Sequence, residues 1–422
     1  MSYTKKPITG MKDILPDECT LRDYVKSVIN ETYRSWGFTP IETPCMENIA
    51  NLTGGQGGEN EKLIFKVLKR GEKLDLANAV TDTDVSDMGM RYDLTVPLSR
   101  FYANNENNLP SPFKALQMGN VWRADRPQKG RYRQFMQCDI DILGEASNLA
   151  EIELILAAGQ TLGKLGFKDF RIRINDRHIL KAMALYCGFS EDKTNEIFIV
   201  LDKMDKTGAD GVRSELVDMG YSKEMADKYL ALFELISSDM GVVDAITALK
   251  DVLGDYPDEG GFENLITIAR SVEAAKNADF ELVFDPTLVR GMSYYTGTIF
   301  EVALPGLGIS CGGGGRYDGM VGRFAGHDVP ACGFSLGFER IVLLLQEQGF
   351  KIPGEGEKIA LLIEKGYPGD RLSEIFAEAA RLRNEGANVL TVYMKKNKKH
   401  QKELLAEEGY TDIREYFKGN AD

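Results

Sequence analysis

Residues 115–143 constrain the fold more than any other part of the chain. Two runs with strand texture, 115–123 and 133–143, flank a short cationic segment, Arg-Ala-Asp-Arg-Pro-Gln-Lys-Gly-Arg-Tyr-Arg. Within it Arg123, Arg126, Lys129, Arg131 and Arg133 supply five positive charges. Paired strands send alternate side chains to one face, so such a hairpin presents a row of functional groups on a sheet. Two readings of the charge stand side by side. One is an exposed basic hairpin on a structural sheet. The other is an anion clamp, in which guanidinium forks match the oxygens of a phosphate or carboxylate.

The surrounding chain predicts an α+β domain with a mostly antiparallel sheet. Residues 18–35 place Leu21, Val25, Val28, Ile29 and Tyr33 on one helical face. The run 38–44 reads as a strand stopped at Pro44. A glycine-rich loop from Thr53 leads into a hairpin with Arg70-Gly71 at its turn, and 90–94 reads as a strand. A helix is predicted over 149–165 and a strand over 169–174. From 179 to 275 helical periodicity and dense charge replace strand signals, which predicts a helical insertion. Sheet texture resumes at 280–304, continues through the glycine run Gly312–Gly315, and passes into a helix near Gly337. After a linker at 351–358, strands at 359–364 and 387–394 alternate with helices at 370–385 and 398–408, which predicts a small α/β domain. The domain bounds that follow are 1–350, with the insertion at 179–275, and 358–422. The last domain reads as shortened, ending without a further strand and helix.

Composition narrows the chemistry. A net charge of −13 over 422 residues argues against indiscriminate coating of nucleic acid, which rests on neutralising phosphates. It leaves room for a local patch, and Lys395, Lys396, Lys398, Lys399 and Lys402 form one, either a solvated helix start or an RNA contact. The three histidines, His178, His327 and His400, are scattered, and the six cysteines form no CxxC pair, which leaves little material for a zinc site. No GxSxG elbow appears. The chain shows neither an apolar run of about 18 residues nor an apolar stretch behind its charged start, so a cytoplasmic protein with reduced thiols is the expectation.

Several segments, in order along the chain, resemble the class II aminoacyl-tRNA synthetases in the form found among histidine–tRNA ligases. The cationic hairpin is similar to motif 2, with Arg123 at the position that grips the α-phosphate and the amino-acid carboxylate. Asp125 stands where the family's adenine-reading Glu is usual. Leu-Val-Arg-Gly-Met-Ser-Tyr-Tyr, 288–295, resembles the histidine-specific signature. It implies that Arg290 acts on the α-phosphate and that Tyr294 and Tyr295 build the histidine pocket. Ser293 departs from the family's usual Asp. In Met-Arg-Tyr-Asp-Leu-Thr, 90–95, Asp93 and Thr95 match residues that hold the substrate's amino group, a task suited to a carboxylate and a hydroxyl. Gln137 and Asp141 match pocket residues near the amino group and the imidazole. Gly312–Gly315 matches a pocket strand, and glycine lets backbone approach a ligand closely. The strand and helix around Arg340 resemble motif 3, which implies ATP contact by Arg340 together with Asp125 and Arg131. Pro44 falls at the motif 1 position, which implies a homodimer.

The resemblance implies ATP-dependent activation of histidine, with Mg2+ on the phosphates, and transfer of the histidyl group to tRNA(His). A second reading is a regulatory subunit of ATP phosphoribosyltransferase, a paralogue with the same fold that binds histidine without charging tRNA. Ser293 and the shortened C-terminus favour it. The set Arg123, Arg290 and Arg340 favours the ligase. The C-terminal domain resembles an anticodon-binding domain.

Overall fold

The computed structural model describes residues 3–54, 60–236, 239–289, 294–304 and 310–419. The chain divides into two compact units, Met1–Gly349 and Phe350–Asp422. Eleven strands are described in the first: β1 Thr39–Pro40, β2 Met46–Asn48, β3 Lys66–Leu68, β4 Ser86–Met90, β5 Phe113–Trp122, β6 Gln134–Leu143, β7 Phe170–Asp176, β8 Phe280–Phe284, β9 Thr298–Ala303, β10 Ser310–Arg316 and β11 Ala331–Gly337. Eight of them form one sheet in the order β1-β5-β6-β11-β10-β9-β7-β8. Only its two edge pairs, β1 with β5 and β7 with β8, are parallel. The pairings between them are antiparallel.

The period-2 rule assigns the two faces of β6. Cys138, Ile140 and Ile142 are buried on one face. Gln137, Asp139 and Asp141 project from the other. The helices Pro16–Ser35, Leu149–Lys164 and Phe338–Glu347 pack together against the sheet. Arg22 joins the first to the third through a two-pronged pair with Glu339, at 2.6 and 2.8 Å, and Glu339 also accepts from the backbone N–H of Met136 on β6 at 3.1 Å. Helix Leu149–Lys164 comes close to the sheet at Gly159, where a Cβ would stand 2.6 Å from the Phe280 ring.

A parallel connection needs a long crossover, and the chain from β7 to β8 supplies it with helices. They are Arg177–Tyr186, Thr194–Leu201, Met204–Asp218, Lys223–Glu234, Val242–Leu253 and Gly261–Ala275. The last of these packs on β7 and β8 themselves, so its apolar residues Leu265, Ile268, Ala269 and Val272 belong to the sheet's core.

Local structure departs from the sequence expectation in three places. The strand predicted at 90–94 ends at Met90, because Asp93 Oδ1 accepts the Val96 N–H at 3.1 Å and starts the helix Thr95–Asn105. The hairpin predicted to turn at Arg70-Gly71 is instead β3 paired antiparallel with β4, across a longer excursion holding the short helix Asp82–Val85. The strand at 38–44 is reduced to β1, and just past it the Ile41 N–H still bonds Leu116 O at 2.9 Å.

The second unit carries β12 Lys358–Ile363, β13 Asn388–Tyr393 and β14 Asp412–Tyr416. They form a parallel sheet in the order β13-β12-β14. The central strand buries both faces, Ile359, Leu361 and Ile363 against helix Leu372–Asn384, and Ala360 and Leu362 with Leu405 of helix Lys398–Glu407. Such two-sided burial explains its unbroken apolar run. The sequence reading missed one strand here, because β14 follows the last helix. Its residues, Asp-Ile-Arg-Glu-Tyr, mask it: Arg414 holds Glu378 and Asp412 at 2.6 and 2.7 Å, so the charges are paired instead of solvated.

One buried ion pair ties the end of β10 to the helix behind it. Arg316 meets the fully buried Glu151 through Nε at 2.7 Å and Nη2 at 2.8 Å, and also donates to the carbonyls of Glu145 and Ser147. Removing one partner strands the other charge, so Glu151→Ala is expected to cost about 3–5 kcal/mol in denaturant titration. A loss below about 1 kcal/mol would show that the carbonyl partners alone satisfy Arg316.

Candidate active site

A cavity of about 340 Å3 opens on the face of the sheet that carries Gln137, Asp139 and Asp141. Strand β6 contributes those three, and β10 and β11 contribute Gly313, Gly314, Gly333 and Ser335. Tyr92, Asp93, Thr95 and Arg123 complete one side, and Tyr294, Tyr295 and Tyr317 another. Register explains the glycines. Gly333 stands opposite Asp141 on β11, and a Cβ there would come within 2.0 Å of Asp141 Oδ1. At Gly314 a Cβ would meet the Gly333 carbonyl oxygen at 1.9 Å. Main chain therefore forms the floor.

The cavity has a polar axis. Arg123, the first residue past β5, is held by Nε donation to Tyr92 O at 2.8 Å and lies over the Phe135 ring at 5.2 Å. Toward the other side Tyr317 donates its hydroxyl to Asp141 Oδ1 at 2.6 Å, and the ring of Tyr294 packs edge-on to Tyr317 at 6.4 Å. Tyr294 and Tyr295 lie 4.3 Å apart.

Burial governs the acids. It pushes the Asp141 carboxyl up to about 7, against the pull of the Tyr317 hydrogen bond. It raises Asp139 well above the carboxylate range, helped by the charge of Asp141 and opposed by Ser335. Asp93 is raised by burial too, although the Val96 N–H and the Arg123 guanidinium hold it down. Tyr92 Oη, Gln137 Oε1 and Asp139 Oδ1 have no hydrogen-bond partner among the described residues. Each such atom costs about 1–3 kcal/mol. Three on residues of one cavity mark positions where a ligand's polar groups would be satisfied.

Of the residues singled out in the sequence, Asp93, Thr95, Arg123, Gln137, Asp141, Tyr294 and Tyr295 all line this cavity. Arg290 and Ser293 lie outside the described residues. Asp125, Arg131 and Arg340 form a separate group. Arg131 makes a two-pronged pair with Asp125 at 2.8 and 3.2 Å, and Arg340 donates to the Ser310 carbonyl. Burial lowers Arg340, with the nearby charge of Arg131 acting the same way. The remaining cations of the hairpin face elsewhere: Lys129 pairs with Glu347, Arg133 bonds the carbonyls of Asp125 and Thr9, and Arg126 is exposed. Asp139, Tyr92, Tyr317 and Ser335 were not picked out as site residues. The period-2 rule applied to 137 and 141 was signal enough for Asp139.

Residues 10–341 match the family described as histidyl-tRNA synthetase. The histidine–tRNA ligase of Leifsonia xyli subsp. xyli is 48% identical over 379 residues, 89% of this chain and 87% of that one. The histidyl-tRNA synthetase structure from Nostoc sp. PCC 7120 superposes with a TM-score of 0.81 at 27% identity, covering 97% of this chain and 90% of the other. A Bacillus halodurans C structure described as an ATP phosphoribosyltransferase regulatory subunit/histidyl-tRNA synthetase gives 0.79 at 21% identity, with full coverage of both chains, a likeness of fold alone. The fold is that of the class II aminoacyl-tRNA synthetases. Within that class, the chain belongs to the histidyl-tRNA synthetase family.

Asp141→Asn keeps an acceptor for Tyr317 and removes the ionisation. With its pKa raised in the fold, Asp141 stays protonated while the unfolded chain ionises. Stability is therefore lost progressively from the ordinary carboxylate range up to about 7, and fully above it. The variant should melt higher than the parent at pH 8 without ligand, and gain little near pH 4. An equal gain at both would show that Asp141 does not titrate across that window.

Proposed function

We propose that this protein is a histidine–tRNA ligase. The carboxylate of histidine attacks the α-phosphorus of ATP, forming histidyl-adenylate as the bond to pyrophosphate breaks. The terminal ribose hydroxyl of tRNA(His) then attacks the activated carbonyl and AMP departs. The observation that carries the reading is the cavity's polar axis, with the Arg123 guanidinium on one side and the Asp141–Tyr317 pair on the other.

Bringing two anions together makes fixed positive charge the main catalytic requirement. Arg123 would meet the carboxylate and the α-phosphate, with Arg290 acting on the same phosphate. Asp141 would accept from the imidazole N–H, between the tyrosines. Asp93, Thr95 and Gln137 would hold the amino group. Asp125, Arg131 and Arg340, gathered beside one another, would receive the adenine and outer phosphates. Mg2+ would arrive with the nucleotide, on its phosphates. When bound, it offsets phosphate charge.

The second unit is proposed to face the tRNA anticodon. Two of its lysines, Lys398 and Lys402, are engaged by Glu415 at 3.0 and 2.8 Å. Lys395, Lys396 and Lys399 are exposed and would supply phosphate contacts. A homodimer in the cytoplasm completes the reading. No helix among the described residues is long and apolar enough to cross a membrane. The regulatory-subunit alternative predicts histidine binding without catalysis.

Histidine-dependent ATP–pyrophosphate exchange decides between the two readings, and its absence in active preparations would overturn the ligase. In that assay Arg290→Ala is expected to lower the rate by about 10²–10³, as for loss of one charge-stabilising donor. Near-normal exchange would remove Arg290 from the mechanism. Asp141→Ala should raise KM for histidine far more than KM for ATP, and equal changes would contradict its role in the amino-acid pocket.

A further inference from the structure

Asp139 is the one cavity carboxylate that the resemblance gave no task. It is 4% exposed and sits on β6 between Gln137 and Asp141, on the same face as both. On the flanking strands its register neighbours are Gln117 and Ser335. The other two acids have partners for one oxygen. Asp93 Oδ1 takes the Val96 N–H, and Asp141 Oδ1 takes the Tyr317 hydroxyl. Asp139 receives a long contact on Oδ2 from Gln137 Nε2 at 3.4 Å and is held by the Ser335 hydroxyl, while its Oδ1 has no partner among the described residues. Gln137 is oriented by that contact and by donation from Nε2 to Ser335 Oγ at 3.1 Å, which leaves its Oε1 as a second buried acceptor without a partner. Two acceptors on adjacent same-face positions of one rigid strand fit a single group with several N–H donors.

Position selects which group that is. Register gives the order along β6: Arg123 lies beyond the Trp122–Gln134 pair, its N–H on Arg133 O, and Gln137, Asp139 and then Asp141 with its tyrosine follow. An α-amino acid laid along it with its carboxylate on Arg123 puts the ammonium, one carbon further, beside Asp139. A planar imidazole lacks the tetrahedral set of donors that these acceptors ask for, and the Asp141–Tyr317 end walled by Tyr294 suits it better.

Building on the ligase reading, we propose that Asp139, together with Oε1 of Gln137, is the counter-charge that binds the substrate's α-ammonium group and makes the site select amino acids over their deaminated analogues. Asp139 is then a specificity-determining residue, and Asp93, already used by the start of its helix, shares the ammonium's remaining N–H.

Calorimetric titration of the full chain and its Asp139→Asn variant tests this with three probes. Histidine carries carboxylate, ammonium and imidazole. Histidinol lacks the carboxylate, and 3-(imidazol-4-yl)propanoate lacks the ammonium. In the variant, histidine and histidinol should weaken roughly 10- to 100-fold, the effect of losing one charge-assisted hydrogen bond, while the propanoate binds as before or more tightly. Equal weakening of histidinol and propanoate would assign Asp139 a structural role and overturn the proposal, as would unchanged histidinol binding. Thermal melting guards against a folding defect: replacing a buried carboxylate by its neutral isostere should not lower the melting temperature, and a large fall would also place Asp139 among structural residues. Failure of the unsubstituted chain to bind histidine would instead sink the ligase reading itself.

Discussion

Carboxylate burial is the constraint from which the rest of this structure follows. Three acids share one cavity with a single lining guanidinium among the described residues, and two of them, Asp139 and Asp141, sit almost out of reach of solvent on the same strand. Like charges so placed repel, and removal from water disfavours the ionised form of each. A sheet that could relax would turn these side chains outward. Strand β6 is barred from doing so because it is paired with β5 along its whole length and with β11 from Gln137 to Leu143, and its opposite face is committed to Cys138, Ile140 and Ile142 in the core. A one-residue slip would exchange the two faces and place the acids among the helices.

The supports behind the sheet work through paired charge as well as apolar contact. Arg22–Glu339 and Arg316–Glu151 each join elements far apart in sequence, and each has two parallel hydrogen bonds. Forked pairs fix orientation more narrowly than hydrophobic contact does. Arg316 directly precedes Tyr317, whose hydroxyl fixes Asp141, so an ion pair outside the cavity sets the position of a side chain within it.

Much of this was legible in the sequence, for physical reasons that differ by element. The β5–β6 hairpin was readable because its strands keep strand texture over ten residues each, long enough to outweigh the charged turn. The helices between β7 and β8 were readable from their periodicity. Strand β14 was not, since Arg414 and Glu415 look solvated until Glu378, Lys398 and Lys402 are seen to pair with them. The helix start after Met90 was equally hidden, because it rests on Asp93 accepting the N–H of Val96 three residues on. At the site, residues that resemble a known motif were found, and those that depend on register were missed. Tyr317 acquires its role only when β11 brings Gly333 opposite Asp141 and clears space beside it.

The glycine floor bears on how such a site can change over time. Where side chains bound a ligand chamber, trimming them enlarges it and new substrates can be admitted. Where peptide planes of β10 and β11 form the boundary, nothing remains to trim, and any replacement at Gly333 adds bulk beside Asp141 and Tyr317. Variation there can only constrict the chamber. Drift in substrate preference is thus channelled toward the tyrosine wall, leaving the base of the site as its least evolvable part.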